Sequence, residues 1–460
     1  MTNSPRILIA GTQSGVGKTT LSTAIMACLK KRGYAVQPYK VGPDYIDPGY
    51  HFAATGRISR NLDCWMLGED TVKEVFARAS KDADISVIEG VMGLYDGLGP
   101  TSISSSAHVA KTLGAPVVLV IDVRSMARSS AAVILGYIKM DPSVKIAGVI
   151  LNKVGTARHF RFLKEAIEEV CSIPVLGFVR REKKIELPER HLGLLPSAEK
   201  KGLLEHIESM TEAVEEGVDI EKIVSLARAY EICPEPALNI FPKKASECKV
   251  RVGVFRDEAF NFYYQDSLDL LQMLGGEIVE CSPLRNSSLP ADLHGLYIGG
   301  GFPEMFLKEL SQNQAFKNDL KRAAGSGMPI YAECGGLMYI SSSITDFEGK
   351  EYQVAGVLPG RCKMGKKRAA LGYVTATALA DSILCSRGVN LRGHEFHYSV
   401  FESSQKYTYA YELTRWGEES RRLDGVAVGN ILASYAHLHF AGCPEAAVKF
   451  LLTCEKFKKS

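Results

Sequence analysis

The sequence predicts an α/β fold arranged as two successive domains, and three observations lead to it. Of the 460 residues, 46% are hydrophobic and 23% are charged, which suits a packed core and not a disordered chain. Short β-branched runs alternate with longer amphipathic segments, as in parallel sheets covered by helices. At roughly 150 residues per domain, the length fits two large domains or about three smaller ones.

The first domain, placed at residues 1–230, is expected to hold a mostly parallel sheet. Apolar runs of the length of a buried strand occur at residues 7–10, 85–88, 117–121, 147–151 and 175–179. Three prolines in residues 231–248 oppose regular structure, so this stretch is predicted to be a linker. The second domain, residues 249–460, begins with a strand candidate at 249–255, and further candidates follow at 295–298 and 328–332.

Composition and charge exclude several classes of protein. The net charge of +3 is too small to indicate nucleic acid binding. The 11 cysteines form no CxxC pair, which argues against a disulfide framework and favours a reducing, cytoplasmic location. No apolar run reaches the roughly 18 residues that a membrane-spanning helix needs. The N-terminal apolar run is also too short for a signal peptide. We therefore expect neither membrane insertion nor export.

A glycine-rich loop follows the first predicted strand. Residues 11–20 read Gly-Thr-Gln-Ser-Gly-Val-Gly-Lys-Thr-Thr and precede a helix expected to run to about Arg32. Glycines let the backbone N–H groups of such a loop surround phosphate oxygens, while the lysine adds charge and the first threonine a hydroxyl for Mg²⁺. Five residues separate Gly11 from Gly17, one more than in the usual pattern. The nucleotide-binding candidates are Gly15, Gly17, Lys18, Thr19 and Thr20.

Acidic residues follow the second and third predicted strands of this domain. Asp44 and Asp47 come after a predicted second strand that lies just before Val41, and Glu89 and Asp96 come after the third, the run at 85–88. Because ligands of open α/β sheets bind beyond the carboxyl ends of the strands, these carboxylates are expected near the phosphate loop. Carboxylate oxygens there can hold Mg²⁺ between phosphates or orient an acceptor. Glu89 is the most informative of the four, since a turn needs no glutamate.

The second domain contains a cysteine with the surroundings of a nucleophile. Cys334 follows an apolar strand and precedes two glycines and an apolar helix start, so a tight turn would expose its sulfur at a helix N-terminus. A second oxyanion donor could come from the glycines at 299–301. The histidines that could activate the thiol are His437 and His439, with His394 and His397 as rivals. Strand alternation would put His437 and His439 on one face, which would also suit zinc, but a third ligand is not evident.

The phosphate loop separates this chain from some of its relatives. Partition and septum-positioning ATPases carry an additional lysine early in the loop, whereas residues 12–14 here are Thr-Gln-Ser. The loop instead resembles that of dethiobiotin synthetase, which has the Gly-Thr start and the longer spacing. The resemblance implies a P-loop NTPase domain that activates a carboxyl group by phosphorylation.

Taken together, the motifs resemble the cobyrinate a,c-diamide synthases and the related Ni-sirohydrochlorin and hydrogenobyrinate a,c-diamide synthases. The resemblance covers nearly the whole chain and rests on residues 11–20, 40–48, 89–96, 187–193, 256–264, 299–301 and 332–336. It implies a C-terminal class I glutamine amidotransferase domain whose nucleophile matches Cys334 and whose activating histidine matches His437. Family members lack the glutamate that completes a triad in other glutaminases, so none is assigned here.

The same resemblance implies the chemistry of the N-terminal site. ATP and L-glutamine, or free ammonia, would be co-substrates with Mg²⁺ in amidating the a and c carboxylates of a tetrapyrrole through an acyl phosphate. The residues expected to hold the metal are Thr19, Asp44 and Glu89, and those expected at the substrate are Asp47, Asp96 and Tyr45. Aromatic residues at 260–264 are candidate walls for the flat macrocycle, although an aromatic stretch more often belongs to a core.

Other interpretations stay open on the sequence alone. The macrocycle could be cobyrinate, Ni-sirohydrochlorin or hydrogenobyrinate, and a homodimer is compatible with the sequence. The chain could also be a regulatory ATPase whose amidase-like domain only binds a partner. A dethiobiotin-like ligase that uses carbon dioxide is a third hypothesis, although it would leave the second domain without a role.

Overall fold

The computed structural model describes residues 4–181, 197–230, 234–237, 239–244, 246–247 and 249–460, with side chains from 202 onward in the second of these ranges. The motif at 187–193 and parts of the predicted linker lie outside the described residues. Two compact units are present, one up to residue 237 and the other from 239 onward. No helix in the described ranges is long and apolar enough to cross a membrane.

The first unit is built on a parallel sheet. Its strands are β1 (Arg6–Gly11), β2 (Val36–Val41), β3 (Arg60–Leu62), β4 (Ile85–Glu89), β5 (Val117–Asp122), β6 (Ile146–Val154) and β7 (Val175–Arg180). Within the described residues they form a seven-stranded sheet in the order β3-β2-β4-β1-β5-β6-β7, and every neighbouring pair is parallel. The predicted parallel sheet is therefore confirmed, and β1, at its centre, leads into the phosphate loop.

Helices cover this sheet as the alternating pattern predicted. They are α1 (Lys18–Lys31), α2 (Asp47–Thr55), α3 (Glu69–Ala79), α4 (Ser106–Leu113), α5 (Ser129–Met140), α6 (Ala157–Cys171), α7 (Ser197–Gly217) and α8 (Ile220–Arg228). Apolar residues of α1, α7 and α8 pack with Ile7, Ile9 and Val118 of the central strands. This core fixes the start of α1 at the carboxyl edge of the sheet.

The second unit has a larger, mixed sheet. In its described residues ten strands follow the order β10-β8-β11-β13-β22-β21-β20-β17-β18-β23. The part from β10 to β22 is parallel and the remainder is antiparallel. These strands are β8 (Val250–Phe255), β10 (Gly276–Cys281), β11 (Gly295–Ile298), β13 (Ile330–Glu333), β17 (Ala370–Ala378), β18 (Asn390–His397), β20 (Thr408–Thr414), β21 (Arg421–Val428), β22 (Ile431–Ser434) and β23 (His437–Leu438).

Smaller elements complete the second unit. Short strands pair outside the main sheet: β9 (Phe260–Phe262) with β12 (Gly300–Gly301), and β14 (Ser341–Thr345) with β15 (Glu351–Gln353) and β16 (Leu358–Met364), the last also with β19 (Ser399–Glu402). The helices are α9 (Gln265–Met273), α10 (Leu307–Gln312), α11 (Gln314–Gly325), α12 (Gly335–Ile340) and α13 (Pro444–Lys458). The turn between β13 and α12 holds the predicted nucleophile.

Candidate functional site

The phosphate loop connects β1 to α1 through two glycines in the left-handed region. Gly15 has φ +77° and Gly17 has φ +95°, conformations that L side chains rarely adopt. A Cβ on Gly17 would also lie 2.3 Å from Asn152 Nδ2. That amide donates to the carbonyl of Val16 at 2.7 Å and so ties the loop to the end of β6. The backbone is thereby held at the open N-terminus of α1, where the first N–H groups lack helical partners.

Two residues at the start of α1 add charge and donors to the loop. Lys18 Nζ folds back over the loop and donates to the carbonyl of Gln13 at 3.1 Å. Burial, and after it the charge of Lys40, lowers the pKa of Lys18 to about 8. Thr20 lies half-buried in the first turn of the helix. The loop therefore has the backbone and the lysine that a phosphate site needs.

Thr19 joins two of the predicted carboxylates in one cluster. Its hydroxyl donates to Glu89 Oε1 at 2.7 Å and lies 3.3 Å from Asp47 Oδ2. Lys40 Nζ donates to Asp47 Oδ2 at 2.5 Å and to Glu89 Oε1 at 2.8 Å. On the far side of the glutamate, His51 Nε2 lies 2.6 Å from Oε2. Three polar side chains thus contact Glu89, which is fully buried, and Asp47 shares two of them.

The charges of this cluster depend on one another. Burial alone would raise the pKa of Glu89, but Lys40 and His51 outweigh it and hold that pKa well below its usual range. Burial would likewise lower the pKa of Lys40, and the Asp47 and Glu89 carboxylates raise it instead. The pKa of Asp47 is raised by burial and by the charges of Asp44 and Glu89. The carboxylates of Asp47 and Glu89 repel each other, and the Lys40 ammonium that bridges them reduces this repulsion.

The remaining predicted residues of this site have other surroundings. Asp44 Oδ1 accepts the amide N–H groups of Ile46 and Asp47 at 2.8 and 3.0 Å, so it shapes the turn before α2. Asp96 Oδ2 accepts the amide of Gly93 at 2.8 Å, and its charge is one of those that act on Lys18. Tyr45 is half-buried on the turn between the two aspartates. Asp47, more than Asp44, shares the immediate surroundings of Thr19.

The donor set fits Mg²⁺ bound together with nucleotide phosphates. A hydroxyl and two carboxylates are hard oxygen ligands, and Mg²⁺ in nucleotide sites usually takes only one or two protein carboxylates plus phosphate oxygens and water. In the described part of the chain, no group of three or more His, Cys, Asp or Glu side chains is arranged to hold a metal by itself. The oxygens of Thr19, Asp47 and Glu89 are therefore the best candidate ligands.

Sequence reasoning missed Lys40 and His51. A signal for the lysine was available, because Lys40 lies within β2, whose residues are all buried, and a buried ammonium requires carboxylate partners. His51 offered no comparable signal, since a histidine in a short amphipathic helix is common. Its contact with Glu89 depends on how α2 lies against the sheet.

In the second unit, Cys334 occupies a strained turn between β13 and α12. Its φ of 48° and ψ of −100° lie outside the regions that non-glycine residues normally adopt, as expected for a nucleophile elbow. Burial, and after it the charge of Glu304, raises the pKa of Cys334, whereas the N–H of Gly335 lowers it. The thiol therefore needs a base before it can act as a nucleophile.

The glycine strand β12 lies against both the elbow and a histidine. A Cβ on Gly335 would lie 3.0 Å from the amide nitrogen of Gly301. A Cβ on Gly300 would lie 2.6 Å from His437 Cε1 and 3.4 Å from Nε2. The imidazole and the residue after Cys334 thus both lie beside Gly300. A side chain at Gly300 would clash with the imidazole, so this close approach requires glycine.

His439 and His397 have different contacts from His437, whereas His394 lies directly opposite His437 on the neighbouring strand β18. His439 directly follows Leu438, the last residue of β23, and its backbone is still extended. Its ring caps the 3₁₀ turn that follows and stacks on Tyr264 with 4.5 Å between ring centroids. His397 stacks on Tyr435 at 3.9 Å and its Nδ1 lies 2.8 Å from the carbonyl of Ser399. The expectation that His437 and His439 share one strand face stays a prediction, although the two rings have different contacts.

The aromatic residues expected to line the macrocycle are core residues instead. Phe260 and Tyr264 are 0% and 1% exposed, and Phe262 and Tyr263 are also buried. Phe260 packs edge-on against Tyr339 with 5.4 Å between centroids. Of the two interpretations of the aromatic residues at 260–264, a wall or a core, their burial supports the core, because these rings fill the interior of the second unit.

Replacing Gly300 with alanine should impair glutamine hydrolysis by about 10²-fold, because the new methyl group would displace the ring of His437. Glutamate release from glutamine measures the effect. Gly325→Ala is the matched control, since a Cβ at Gly325 would meet nothing within 4 Å. Equal activity of the Gly300→Ala protein and the wild type would show that His437 is not part of the site.

The fold and these two sites define a class of protein in which a nucleotide-binding domain is joined to a glutamine amidotransferase domain. A family model described as a CobQ/CobB/MinD/ParA nucleotide binding domain matches residues 7–195. A second, described as a CobB/CobQ-like glutamine amidotransferase domain, matches residues 251–444.

Comparison with whole proteins identifies the family. Cobyrinate a,c-diamide synthase of Dehalococcoides mccartyi is 46% identical over 460 residues, covering 99% of both chains. The enzyme of that name from Caldanaerobacter subterraneus subsp. tengcongensis is 46% identical over 450 residues, covering 98% of both. That of Methanosarcina barkeri is 42% identical over 483 residues, covering 100% of this chain and 97% of the other. The chain belongs to the cobyrinate a,c-diamide synthase family, as the motifs predicted.

Proposed function

We propose that this protein amidates the a and c side-chain carboxylates of cobyrinate, using ATP and the amide nitrogen of glutamine or free ammonia. The observation that carries the proposal is the strained Cys334 elbow, whose next residue lies against the same glycine strand that His437 contacts, in a chain that also holds a phosphate loop. Relatives 42–46% identical over almost their whole length bear the name cobyrinate a,c-diamide synthase, which supports cobyrinate as the macrocycle.

The N-terminal unit would activate the acceptor. A carboxylate repels nucleophiles and has no adequate leaving group, so transfer of the ATP γ-phosphoryl group to it gives an acyl phosphate that ammonia can attack. Lys18 and the loop N–H groups would bind the phosphates. Thr19, Asp47 and Glu89 would hold Mg²⁺, which would supply charge neutralisation at the phosphates when bound. Asp96 and Tyr45 remain candidates for contacts with the substrate.

Lys40 would keep the two acidic ligands in place. Its ammonium bridges Asp47 and Glu89, while His51 orients the other oxygen of the glutamate. Without the ammonium between them, the carboxylates of Asp47 and Glu89 would repel each other. We infer that Lys40 holds the two carboxylates in position for the metal at the nucleotide site.

The C-terminal unit would release the nitrogen. Cys334 would attack the amide carbon of glutamine after passing its proton to His437, and the N–H groups near Gly335 and β12 would stabilise the oxyanion. The proton returns to the departing nitrogen, which leaves as ammonia, and water then hydrolyses the thioester to glutamate. The ammonia displaces phosphate from the acyl phosphate and gives the amide.

A direct assay tests the proposal. The full chain is incubated with ATP, Mg²⁺ and glutamine, with cobyrinate and Ni-sirohydrochlorin offered side by side, and the products are analysed by mass spectrometry. Two acid-to-amide changes on cobyrinate, each dependent on ATP, are expected. Amidation of Ni-sirohydrochlorin alone would show that the chain acts on that macrocycle instead of cobyrinate. Amidation of neither would contradict the proposal.

The metal ligands can be distinguished by a matched pair of variants. Asp47→Asn should raise the Mg²⁺ concentration needed for half-maximal activity by about 10-fold or more, because it removes a carboxylate beside Thr19. Asp44→Asn should change it little, since an asparagine can still accept the amides of Ile46 and Asp47. A Mg²⁺ titration of ATP-dependent synthesis measures both, and equal shifts would make Asp44 a ligand as well.

A further inference from the structure

Glu333 is the last residue of β13 and directly precedes the candidate nucleophile. Its side chain is 1% exposed. The carboxylate accepts hydrogen bonds from the hydroxyls of Tyr297 at 2.8 Å and Tyr331 at 2.5 Å. It also accepts the backbone N–H of Leu438 at 2.9 Å. Glu333 therefore holds the short strand that carries His437.

The same carboxylate faces the imidazole. Glu333 Oε2 lies 3.9 Å from His437 Nδ1, and within the described residues no lysine or arginine forms an ion pair with this glutamate. Burial raises the pKa of Glu333 to about 7. Burial, then His394 and His397, lowers the pKa of His437 to about 3, while Glu395 acts in the opposite direction. A buried Glu333 carboxylate and a buried His437 imidazolium are each unfavourable alone, and each would stabilise the other.

We propose that Glu333 is a positioning residue that orients His437 and stabilises its protonated form while Cys334 is a thiolate. The inference rests on the proposed glutaminase function. With Nδ1 directed at Glu333 and carrying its hydrogen, Nε2 is left as the proton acceptor on the side of the glycine strand. A carboxylate behind the histidine is the arrangement that orients the base in nucleophilic triads.

The proton balance of the step is simple. The S–H bond of Cys334 breaks, its proton moves to His437 Nε2, and the electron pair stays on sulfur. The sulfur then forms a bond to the amide carbon of glutamine, and the imidazolium returns the proton to the nitrogen as the carbon–nitrogen bond breaks. Glu333 takes no proton in this step, and its carboxylate stabilises the positive charge of His437 while the imidazolium exists.

If the role of Glu333 were purely structural, another change that loosens the same segment should have the same effect. The chain offers a matched control for this. Asp424 is another buried carboxylate, and it accepts the backbone N–H groups of Tyr435 and Ala436, close to the same histidine in sequence. Within the described residues it forms no ion pair with any histidine at up to 4.0 Å. Asp424→Asn therefore loosens the same segment without removing a charge that faces His437.

The test is the pH dependence of Cys334 alkylation by iodoacetamide, measured on the full chain by peptide mass spectrometry. Glu333→Gln should move the midpoint upward by about one pH unit or more, toward the midpoint of His437→Asn, because the thiolate loses its stabilised partner. Asp424→Asn should retain the wild-type midpoint. Glutamine-dependent kcat of Glu333→Gln should fall about 10-fold or more, with KM and ammonia-dependent synthesis unchanged.

Two results would overturn the inference: a Glu333→Gln midpoint equal to that of the wild type, or an equal shift in Asp424→Asn. If Glu333→Gln does not fold, Glu333→Asp decides, since a retained charge should keep the midpoint below that of His437→Asn. A midpoint as high as that of His437→Asn contradicts the proposal. Loss of the proposed function would appear elsewhere, as glutamine hydrolysis that survives in Cys334→Ala.

Discussion

Replacing Cys334 with alanine should lower glutamine hydrolysis by about 10³-fold or more, because removal of a nucleophile abolishes the covalent route. Ammonia-supported synthesis should persist, since the phosphate loop and the cluster around Glu89 belong to the other compact unit. Glutamate release and ammonia-dependent ADP formation, measured on the same preparation, report the two activities separately.

The control for Cys334→Ala is a second buried cysteine in the same unit. Cys362 is 0% exposed and packs in the apolar core, so Cys362→Ala should retain glutamine hydrolysis. If Cys334→Ala hydrolysed glutamine at the wild-type rate, another residue would be the nucleophile. If it lost ammonia-dependent synthesis as well, the assignment of two separable chemistries would not hold.

Replacing Glu89 with glutamine should produce the converse pattern. The change removes the charge that Thr19, Lys40 and His51 share, so ATP-dependent synthesis should fall by about 10²- to 10³-fold with either nitrogen donor. Glutamine hydrolysis by Cys334, measured without ATP, should remain. The two variants together would assign one chemistry to each unit.

The Glu89→Gln result must be separated from a loss of folding. Removing one partner of a buried ion pair costs about 3–5 kcal/mol, so thermal unfolding of the variant should be measured alongside activity. A folded Glu89→Gln protein that synthesises the diamide at the wild-type rate would remove this residue from the nucleotide site. Loss of glutamine hydrolysis in a folded variant would contradict the separation of functions.

Much of the first unit could be predicted because its strands are buried on both faces. Such strands are continuous apolar runs, and the predicted run at 117–121 corresponds to β5, Val117–Asp122. The phosphate loop was recognisable for a related reason: its glycines have a conformational role that other residues cannot take, as Gly17 shows. Local signals of this kind do not depend on the rest of the fold.

The parts that sequence reasoning missed depend on packing between distant segments. Lys40 meets Glu89 because β2 and β4 are neighbours, which no local pattern reports. The different contacts of the His437 and His439 rings could not be derived from strand alternation, because each ring meets a distant segment of the chain. Glu333 was overlooked for the same reason, since its approach to His437 spans more than 100 residues of sequence.

Isotope labelling tests the central claim, that a thiol in the second unit frees the nitrogen used by an activated acid in the first. The wild type is supplied with amide-¹⁵N glutamine, ATP, Mg²⁺ and cobyrinate, and Cys334→Ala is supplied with the same mixture or with ¹⁵N-ammonium. The account predicts two ¹⁵N amides in the wild-type product, and in the variant only with ammonium. Label from glutamine in the Cys334→Ala product, or glutamine and ATP consumed by the wild type without label in the macrocycle, would contradict it.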